Sequence, residues 1–135
     1  MQPAEPQARR ILVVDDNQSV ARSLLNLLKS EGLDPMVFQS GQPALDYLQK
    51  NCPDAALIDI HLPDISGIEL TRQLRKTHGS DLPVIICSGD SSIDTLDAIR
   101  EAGATLYFHK PVSVSKLVDC LKKSLATAAK QTPPS

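Results

Sequence analysis

The sequence predicts an α/β fold in which a parallel sheet of five strands is covered by helices on both faces. Five short apolar runs alternate with segments whose apolar residues repeat at helical spacing. The strand runs are continuously apolar, which is typical of parallel strands buried on both faces. With 135 residues, the chain is too short for a closed barrel of eight such units. These observations favour an open, doubly wound sheet with right-handed crossovers.

The five predicted strands are short runs of apolar residues. In chain order they lie at residues 11–14, 36–38, 55–58, 84–87 and 105–108. The first run, ILVV, is rich in β-branched residues, which fit a buried strand well.

Apolar residues at helical spacing follow each strand and predict five helices. In chain order these residues are Val20, Leu24, Leu27 and Leu28; Ala44, Leu45 and Leu48; Ile68, Leu70 and Leu74; Leu96, Ile99 and Ala102; and Leu117, Val118, Leu121 and Leu125. Gly32, Gly79 and Gly103 are expected at the ends of the first, third and fourth helices. The second helix is closed by the dipeptide CP at 52–53.

The chain has the length of one domain. We expect this domain to occupy residues 9–126, after a flexible leader at 1–8. Residues 127–135, TAAKQTPPS, are expected to be a C-terminal tail or the start of a linker.

Composition excludes several classes of protein. Hydrophobic residues make up 41% and charged residues 22%, which excludes wholesale disorder. The net charge of -2 argues against nucleic-acid binding through bulk positive charge. No apolar run approaches the length of a membrane span, and the N-terminus is not a secretory signal. Three scattered cysteines, Cys52, Cys87 and Cys120, fit neither a disulfide framework nor a zinc site. We therefore expect a cytoplasmic protein without membrane contact.

Polar residues follow four of the predicted strands, at the edge where an open α/β sheet binds its ligands. They are Asp15 and Asp16; Asp59; Ser88, Gly89 and Asp90; and His109, Lys110 and Pro111. Any one of these aspartates is as readily explained as a helix N-cap, and a single serine or lysine as a solvated loop residue. Their convergence on one edge favours a functional site.

Three clustered carboxylates need a partner. Carboxylates about 4 Å apart repel each other by on the order of 4 kcal/mol at an effective dielectric constant of about 20. Such a cluster takes up either a proton or a cation. Because Mg²⁺ prefers hard oxygen ligands and keeps several waters, the three aspartates predict a Mg²⁺ site.

Other uses of this fold are disfavoured by the residues after the first strand. The sequence VDDN at 14–17 is not the glycine-rich turn of a dinucleotide-binding domain, and two aspartates there would repel a flavin phosphate. Neither a P-loop nor a G-x-S-x-G elbow occurs. A phosphatase of the haloacid dehalogenase type would need a second aspartate at the position of His61.

The chain resembles the receiver domain of two-component response regulators, of the chemotaxis-regulator type, over about residues 9–126. The resemblance rests on the segments ILVVDDN, ALIDIHLPDISGIEL, VIICSGD and GATLYFHKP, which stand in the family's order. It implies the flavodoxin-like fold with the strand order 2-1-3-4-5.

The resemblance also implies residue roles at the site. Asp59 would be the phosphoacceptor. Asp16 and Asp59 would bind Mg²⁺ directly, together with the backbone carbonyl of His61, and Asp15 would act mainly through a bound water. Ser88 and Lys110 would each contact a phosphoryl oxygen.

Further implied roles concern the switch and the lifetime of the phosphorylated state. Tyr107 would be the aromatic switch that responds to Ser88, although the residue alone reads as a half-exposed strand aromatic. Pro111 would follow a cis peptide bond that aims the lysine. His61 and Asp90 would flank the path of the hydrolytic water, and Asp90 would either orient that water or repel it.

The implied function is a phosphorylation-activated switch that dephosphorylates itself slowly and is not otherwise an enzyme. Its donor would be a phosphohistidine on a sensor kinase or phosphotransfer protein. Its output surface would be the fourth helix, fifth strand and fifth helix, facing an output domain or a downstream protein. An interaction module that signals without phosphorylation is the alternative, and a small-molecule phosphohydrolase is a more distant one.

Overall fold

A computed structural model describes residues 9–79, 81–89, 92–110 and 113–130 of the chain. Strands and helices alternate throughout. The strands are β1 (Arg10–Val14), β2 (Asp34–Phe38), β3 (Ala55–Asp59), β4 (Val84–Ser88) and β5 (Leu106–His109). The helices are α1 (Gln18–Ser30), α2 (Gly41–Lys50), α3 (Gly67–His78), α4 (Ile93–Ala102) and α5 (Val114–Lys130).

The five strands form one parallel sheet in the order β2-β1-β3-β4-β5, which confirms the predicted fold class and strand order. The strand order reverses direction at β1. The chain segments that leave β1 and β3 therefore run to opposite sides of the sheet. A crevice at the carboxyl ends of these two strands is where an open sheet of this kind binds ligands.

Alternation of side chains along each strand divides the core into two layers. One layer contains Leu12, Ile58 and Ile86 of the sheet, packed against α2, α3 and α4. The other contains Val13 and Leu57, packed against α1 and α5. Both faces of the sheet are therefore covered, as the continuously apolar strands predict.

Element boundaries differ from prediction by a few residues. β2 begins two residues before the apolar run, because Asp34 and Pro35 pair with Arg10 and Ile11 of β1. β5 begins at Leu106, since the Thr105 hydroxyl accepts from the Val84 amide at 3.0 Å and the residue forms a bend.

The last helix extends into the segment predicted to be a tail or linker, and the domain bounds of 9–126 stay a prediction. α5 continues to Lys130, so the segment predicted to begin a tail at residue 127 starts as helix. Residues 131–135 of that segment, and the predicted leader at 1–8, lie outside the described residues. Within the described part of the chain, no helix is long and apolar enough to cross a membrane.

Candidate functional site

The carboxyl ends of β1, β3, β4 and β5 bring the predicted site residues to one edge of the sheet. Asp59 is the last residue of β3 and pairs with Cys87 of β4, while Ser88 pairs with His109 of β5. The backbone amide of Lys110 donates to the Ser88 carbonyl at 2.7 Å, which extends the pairing of β4 and β5 by one residue. The lysine is therefore anchored by its backbone directly beside the serine.

Three carboxylates cluster at this edge. Asp15, Asp16 and Asp59 each offer an oxygen, and these atoms all lie within 4.8 Å of one another. Asp15 and Asp59 are buried, whereas Asp16 is exposed. The structure thus brings together the three aspartates that the sequence predicts to bind a metal ion.

Lys110 supplies a positive charge to this cluster. Its Nζ donates to Asp59 Oδ2 at 3.2 Å and lies 3.7 Å from Asp15 Oδ2. Burial lowers the pKa of Lys110, but the carboxylates of Asp15 and Asp59 outweigh burial and raise that pKa above its ordinary value. The ammonium group therefore stays charged at neutral pH.

Asp15 is held by the first turn of α1. Its Oδ1 accepts from the Asn17 backbone amide at 2.9 Å, and the Asn17 side chain caps α1 by accepting from Val20. Burial raises the pKa of Asp15, against the lowering effects of the Asn17 amide and the Lys110 ammonium. A buried carboxylate of this kind gains from a divalent cation, since the cation compensates for the lost water.

The backbone at the start of α3 packs closely against the backbone of Asp59 and Ile60. The Gly67 amide donates to the Ile60 carbonyl at 2.8 Å, and a Cβ atom at Gly67 would collide with the Asp59 carbonyl oxygen. Glycine is required here for space. The His61 amide donates to Asp59 Oδ1 at 3.3 Å, which orients the carboxylate.

Ser88 and Tyr107 occupy neighbouring strands on the same face of the sheet. Ser88 is fully buried. Tyr107 pairs with Ile86, two residues before Ser88, and packs against the core layer of α2, α3 and α4. Its hydroxyl lies 3.4 Å from Nδ1 of His109. The predicted switch residue is therefore a diagonal neighbour of the predicted phosphate-binding serine.

An apolar cavity of about 370 Å³ adjoins the site between the sheet, α1 and α5. Asp15, Asp59 and Lys110 lie at its polar side. The apolar lining consists of Val13, Val14, Val20, Leu24, Leu57, Ile58, Cys87, Val114 and Leu117. Burial raises the pKa of the Cys87 thiol to about 12, so this thiol is not a nucleophile at neutral pH.

Sequence reasoning missed several supporting residues. Asn17 and Gly67 carry recognisable signals, an N-cap residue before a helix and a glycine after a loop, but neither signal indicates contact with an aspartate of the site. Two predicted residues, Asp90 and Pro111, lie outside the described residues. Their assigned roles remain predictions, as does the role of the His61 carbonyl.

Comparison with known proteins identifies close relatives. Residues 11–122 match the family described as the response regulator receiver domain. Response regulator MprA of Mycobacterium sp. (strain KMS) is 39% identical over 109 residues, which are 81% of this chain and 47% of that protein. MprA of Mycobacterium avium (strain 104) is 38% identical over the same length. The chain spans about half the length of these curated relatives.

Solved structures give the same result. The response regulator receiver domain protein (CheY-like) from Methanospirillum hungatei JF-1 superimposes with a TM-score of 0.87 at 29% identity, covering 92% of this chain and 98% of that one. The Brucella abortus NtrX, crystallised in complex with ADP, matches with a TM-score of 0.81 at 27% identity. That match covers 92% of this chain but 28% of NtrX.

Proposed function

Because the chain belongs to the response regulator receiver domain family, we propose that it is a phosphorylation-controlled switch with Asp59 as the phosphoacceptor. One observation carries this proposal: the buried Asp59 carboxylate lies at once beside two further carboxylates and 3.2 Å from the Lys110 ammonium. A carboxylate with both a metal-binding cluster and a fixed cation is equipped to receive a phosphoryl group.

The donor is a phosphohistidine of a sensor kinase or phosphotransfer protein. Asp59 attacks as a carboxylate, so that a P–O bond forms while the P–N bond to the donor imidazole breaks. The leaving imidazole takes up a proton. A Mg²⁺ ion held by Asp16, Asp59 and the His61 carbonyl, with Asp15 acting through water, would stabilise negative charge on the phosphoryl oxygens.

Lys110 and Ser88 receive the other phosphoryl oxygens. The Lys110 ammonium already contacts Asp59 Oδ2, and its raised pKa keeps it charged. The Ser88 hydroxyl reaches the new dianion after a shift of the loop that follows β4. The ammonium and the hydroxyl thus recognise the phosphorylated state by charge and by hydrogen bonding.

The output face consists of α4, β5 and α5. Movement of Ser88 toward the phosphoryl group opens space on the sheet face that Ser88 shares with Tyr107, and the tyrosine ring moves into it. Phosphorylation need only stabilise a conformation that already exists at a low population. An output domain or a downstream protein then reads this face. The switch acts in the cytoplasm, and its reaction is limited to accepting and slowly losing its own phosphoryl group.

Phosphotransfer to the purified protein tests this proposal. With Mg²⁺ and phosphoramidate, a small donor with the same P–N bond, we expect the intact mass to rise by one phosphoryl group. Asp59→Asn should abolish this gain, as should removal of Mg²⁺ with a chelator. A wild-type protein that stays unmodified, yet binds partners through the α4-β5-α5 face, would instead be a phosphorylation-independent interaction module.

A further inference from the structure

We propose that Asp64 is a positioning residue for the metal site, acting by tethering the β3–α3 loop to the first turn of α2. The inference rests on the proposed function, because it concerns the Mg²⁺ affinity of the same site. The β3–α3 loop comprises residues 60–66 and runs from the phosphoacceptor to α3. It contains His61, whose carbonyl is the proposed backbone ligand.

The tether consists of two short hydrogen bonds across 22 and 23 residues of sequence. The Gly41 amide donates to Asp64 Oδ1 and the Gln42 amide donates to Asp64 Oδ2, each at 2.7 Å. The Ile65 amide also donates to Oδ1, at 2.8 Å. Both carboxylate oxygens are therefore engaged, and the side chain is fixed relative to both its own loop and α2.

α2 depends on this distant carboxylate for its cap. Ser40 occupies the N-cap position, but its side chain makes no capping hydrogen bond, and the first turn of α2 contains no acidic residue. The amides at the start of a helix need an acceptor, and a negative charge there is favourable. Asp64 meets both requirements from another loop.

The β3–α3 loop packs against α2 so closely that the position of the helix limits the position of the loop. A Cβ atom at Gly41 would collide with the Ile65 side chain, so the loop packs directly on the helix backbone. The loop is also fixed at its first residue, Ile60. The Ile60 amide donates to the Cys87 carbonyl at 3.3 Å, and the Ile60 carbonyl accepts from the Gly67 amide. His61 and Pro63 lie between these two anchors, and the proline ring further limits how the segment can bend.

Loss of the Asp64 tether should therefore loosen the His61 carbonyl. The carboxylate ligands themselves would be unchanged. Partners that orient metal ligands are worth about tenfold to a hundredfold in affinity where they bond a ligand directly. Because Asp64 acts through the two residues that separate it from His61, we expect Asp64→Ala to raise the Mg²⁺ dissociation constant about threefold to tenfold. The titration is followed by the backbone amide NMR signals of residues 59–61.

A second-site variant separates positioning from simple helix capping. Adding Ser40→Asp to Asp64→Ala supplies α2 with a local acidic cap but leaves the loop untethered. We expect the double variant to regain the urea midpoint of the wild type while keeping the weakened Mg²⁺ affinity. Ser66→Ala is the matched control, since Ser66 lies in the same loop but caps α3 by accepting from the Glu69 amide at 3.1 Å. It should lower stability and leave Mg²⁺ affinity within about twofold.

Three outcomes overturn the proposal. Asp64→Ala with wild-type Mg²⁺ affinity would show that the tether does not position the site. Recovery of both stability and Mg²⁺ affinity in the double variant would assign the effect to the α2 cap alone. Failure of the wild-type protein to bind Mg²⁺ would overturn the proposed function and this role together, and is distinguished by the wild-type titration.

Discussion

Asp15 and Asp16 contribute to the same cluster from different surroundings. Asp15 is buried and already engaged by the Asn17 amide, whereas Asp16 is exposed and adjoins the cluster from the solvent side. The buried carboxylate is thus constrained by its neighbours, and the exposed one is available to approach an ion. This difference suits the division between a ligand that acts through water and one that binds directly.

At the same residue scale, the metal assignment predicts unequal effects of two substitutions. Asp16→Asn removes a direct charge from the ion and should weaken Mg²⁺ binding by about tenfold or more. Ser88→Ala removes a hydroxyl that is proposed to contact the phosphoryl group and not the ion, and should change Mg²⁺ affinity by less than about twofold. Both are measured by NMR titration at neutral pH, where equal effects would contradict the assignment.

Two residues that the family resemblance assigns to the path of the hydrolytic water should set the lifetime of the phosphoryl group. His61 and Asp90 lie two residues after the phosphoacceptor and two after the switch serine. We expect His61→Ala and Asp90→Ala each to change the decay rate of phospho-Asp59 by about fivefold, equivalent to roughly 1 kcal/mol in barrier height. The sign at Asp90 depends on whether it orients or repels water.

Decay is followed by intact mass after removal of the donor, with Mg²⁺ affinity measured in parallel. Affinity should barely change, because neither side chain is a ligand in the proposed scheme. Unchanged decay in both single variants and in the double variant would rule out this role. An affinity loss as large as that of Asp16→Asn would do so as well.

At the scale of elements, the connection between β3 and α3 requires a residue without a Cβ atom at position 67. Gly67→Ala would force a methyl group against the Asp59 carbonyl oxygen. We expect a loss of about 2 kcal/mol or more in the free energy of unfolding, measured by urea denaturation. Gly89→Ala is the control, because no atom lies within 4 Å of a Cβ there. Its stability should change by less than about 1 kcal/mol, and equal losses in both variants would refute the steric explanation.

The cap of α2 should make stability depend on pH. Hydrogen bonds from the Gly41 and Gln42 amides lower the pKa of Asp64 below its usual range. The stabilisation is therefore fully present above the unfolded-state pKa of about 3.9, and is lost as pH falls through the lower folded-state value. Asp64→Asn should destabilise the protein at pH 7, and the difference from wild type should shrink toward pH 2 to 3.

Urea denaturation at the two pH values measures that difference. Asp97→Asn, which removes an exposed carboxylate from α4, is the control for general charge effects. A difference between wild type and Asp64→Asn that is the same at both pH values would contradict the capping role of the ionised carboxylate.

Most helices and strands were predictable because the spacing of apolar residues along the chain differs between the two. The strand order followed from the resemblance, and the convergence of Asp15, Asp59 and Lys110 followed from their positions after parallel strands. Contacts made by loops were not predictable in this way. No sequence pattern singles out Asp64 or Arg75. In the fold, Arg75 Nε donates to the Gly103 carbonyl at 2.8 Å, across 28 residues, because the ends of α3 and α4 meet. The spacing of residues along the chain does not predict this contact between the ends of α3 and α4.

At the scale of the whole molecule, tyrosine signals test the proposed coupling between the site and the α4-β5-α5 face. The chain has two tyrosines and no tryptophan, so 3-fluorotyrosine labelling gives two ¹⁹F signals, which Tyr47→Phe assigns. Beryllofluoride, the activator of the DrrB receiver domain structure, stands in for the phosphoryl group. We expect it to shift the Tyr107 signal and leave the Tyr47 signal nearly unchanged.

Ser88→Ala and Lys110→Ala should each abolish the Tyr107 shift, because the hydroxyl and the ammonium are the groups proposed to sense the dianion. Both variants are first shown to be folded by their backbone amide spectra. A full Tyr107 response in either variant would mean that the signal reaches the output face by another route.

The cavity between the sheet, α1 and α5 also gives the molecule an uneven response to hydrostatic pressure. The cavity leaves about 370 Å³ beside the acidic cluster unfilled by protein atoms, and its lining is mostly apolar, so it holds water weakly. Compression favours states in which such space is filled or collapsed. Because Asp15, Asp59 and Lys110 line one side of the cavity, a change in its volume acts directly beside the acidic cluster. For the proposed switch we therefore expect pressure, as well as charge, to shift the balance between its two states.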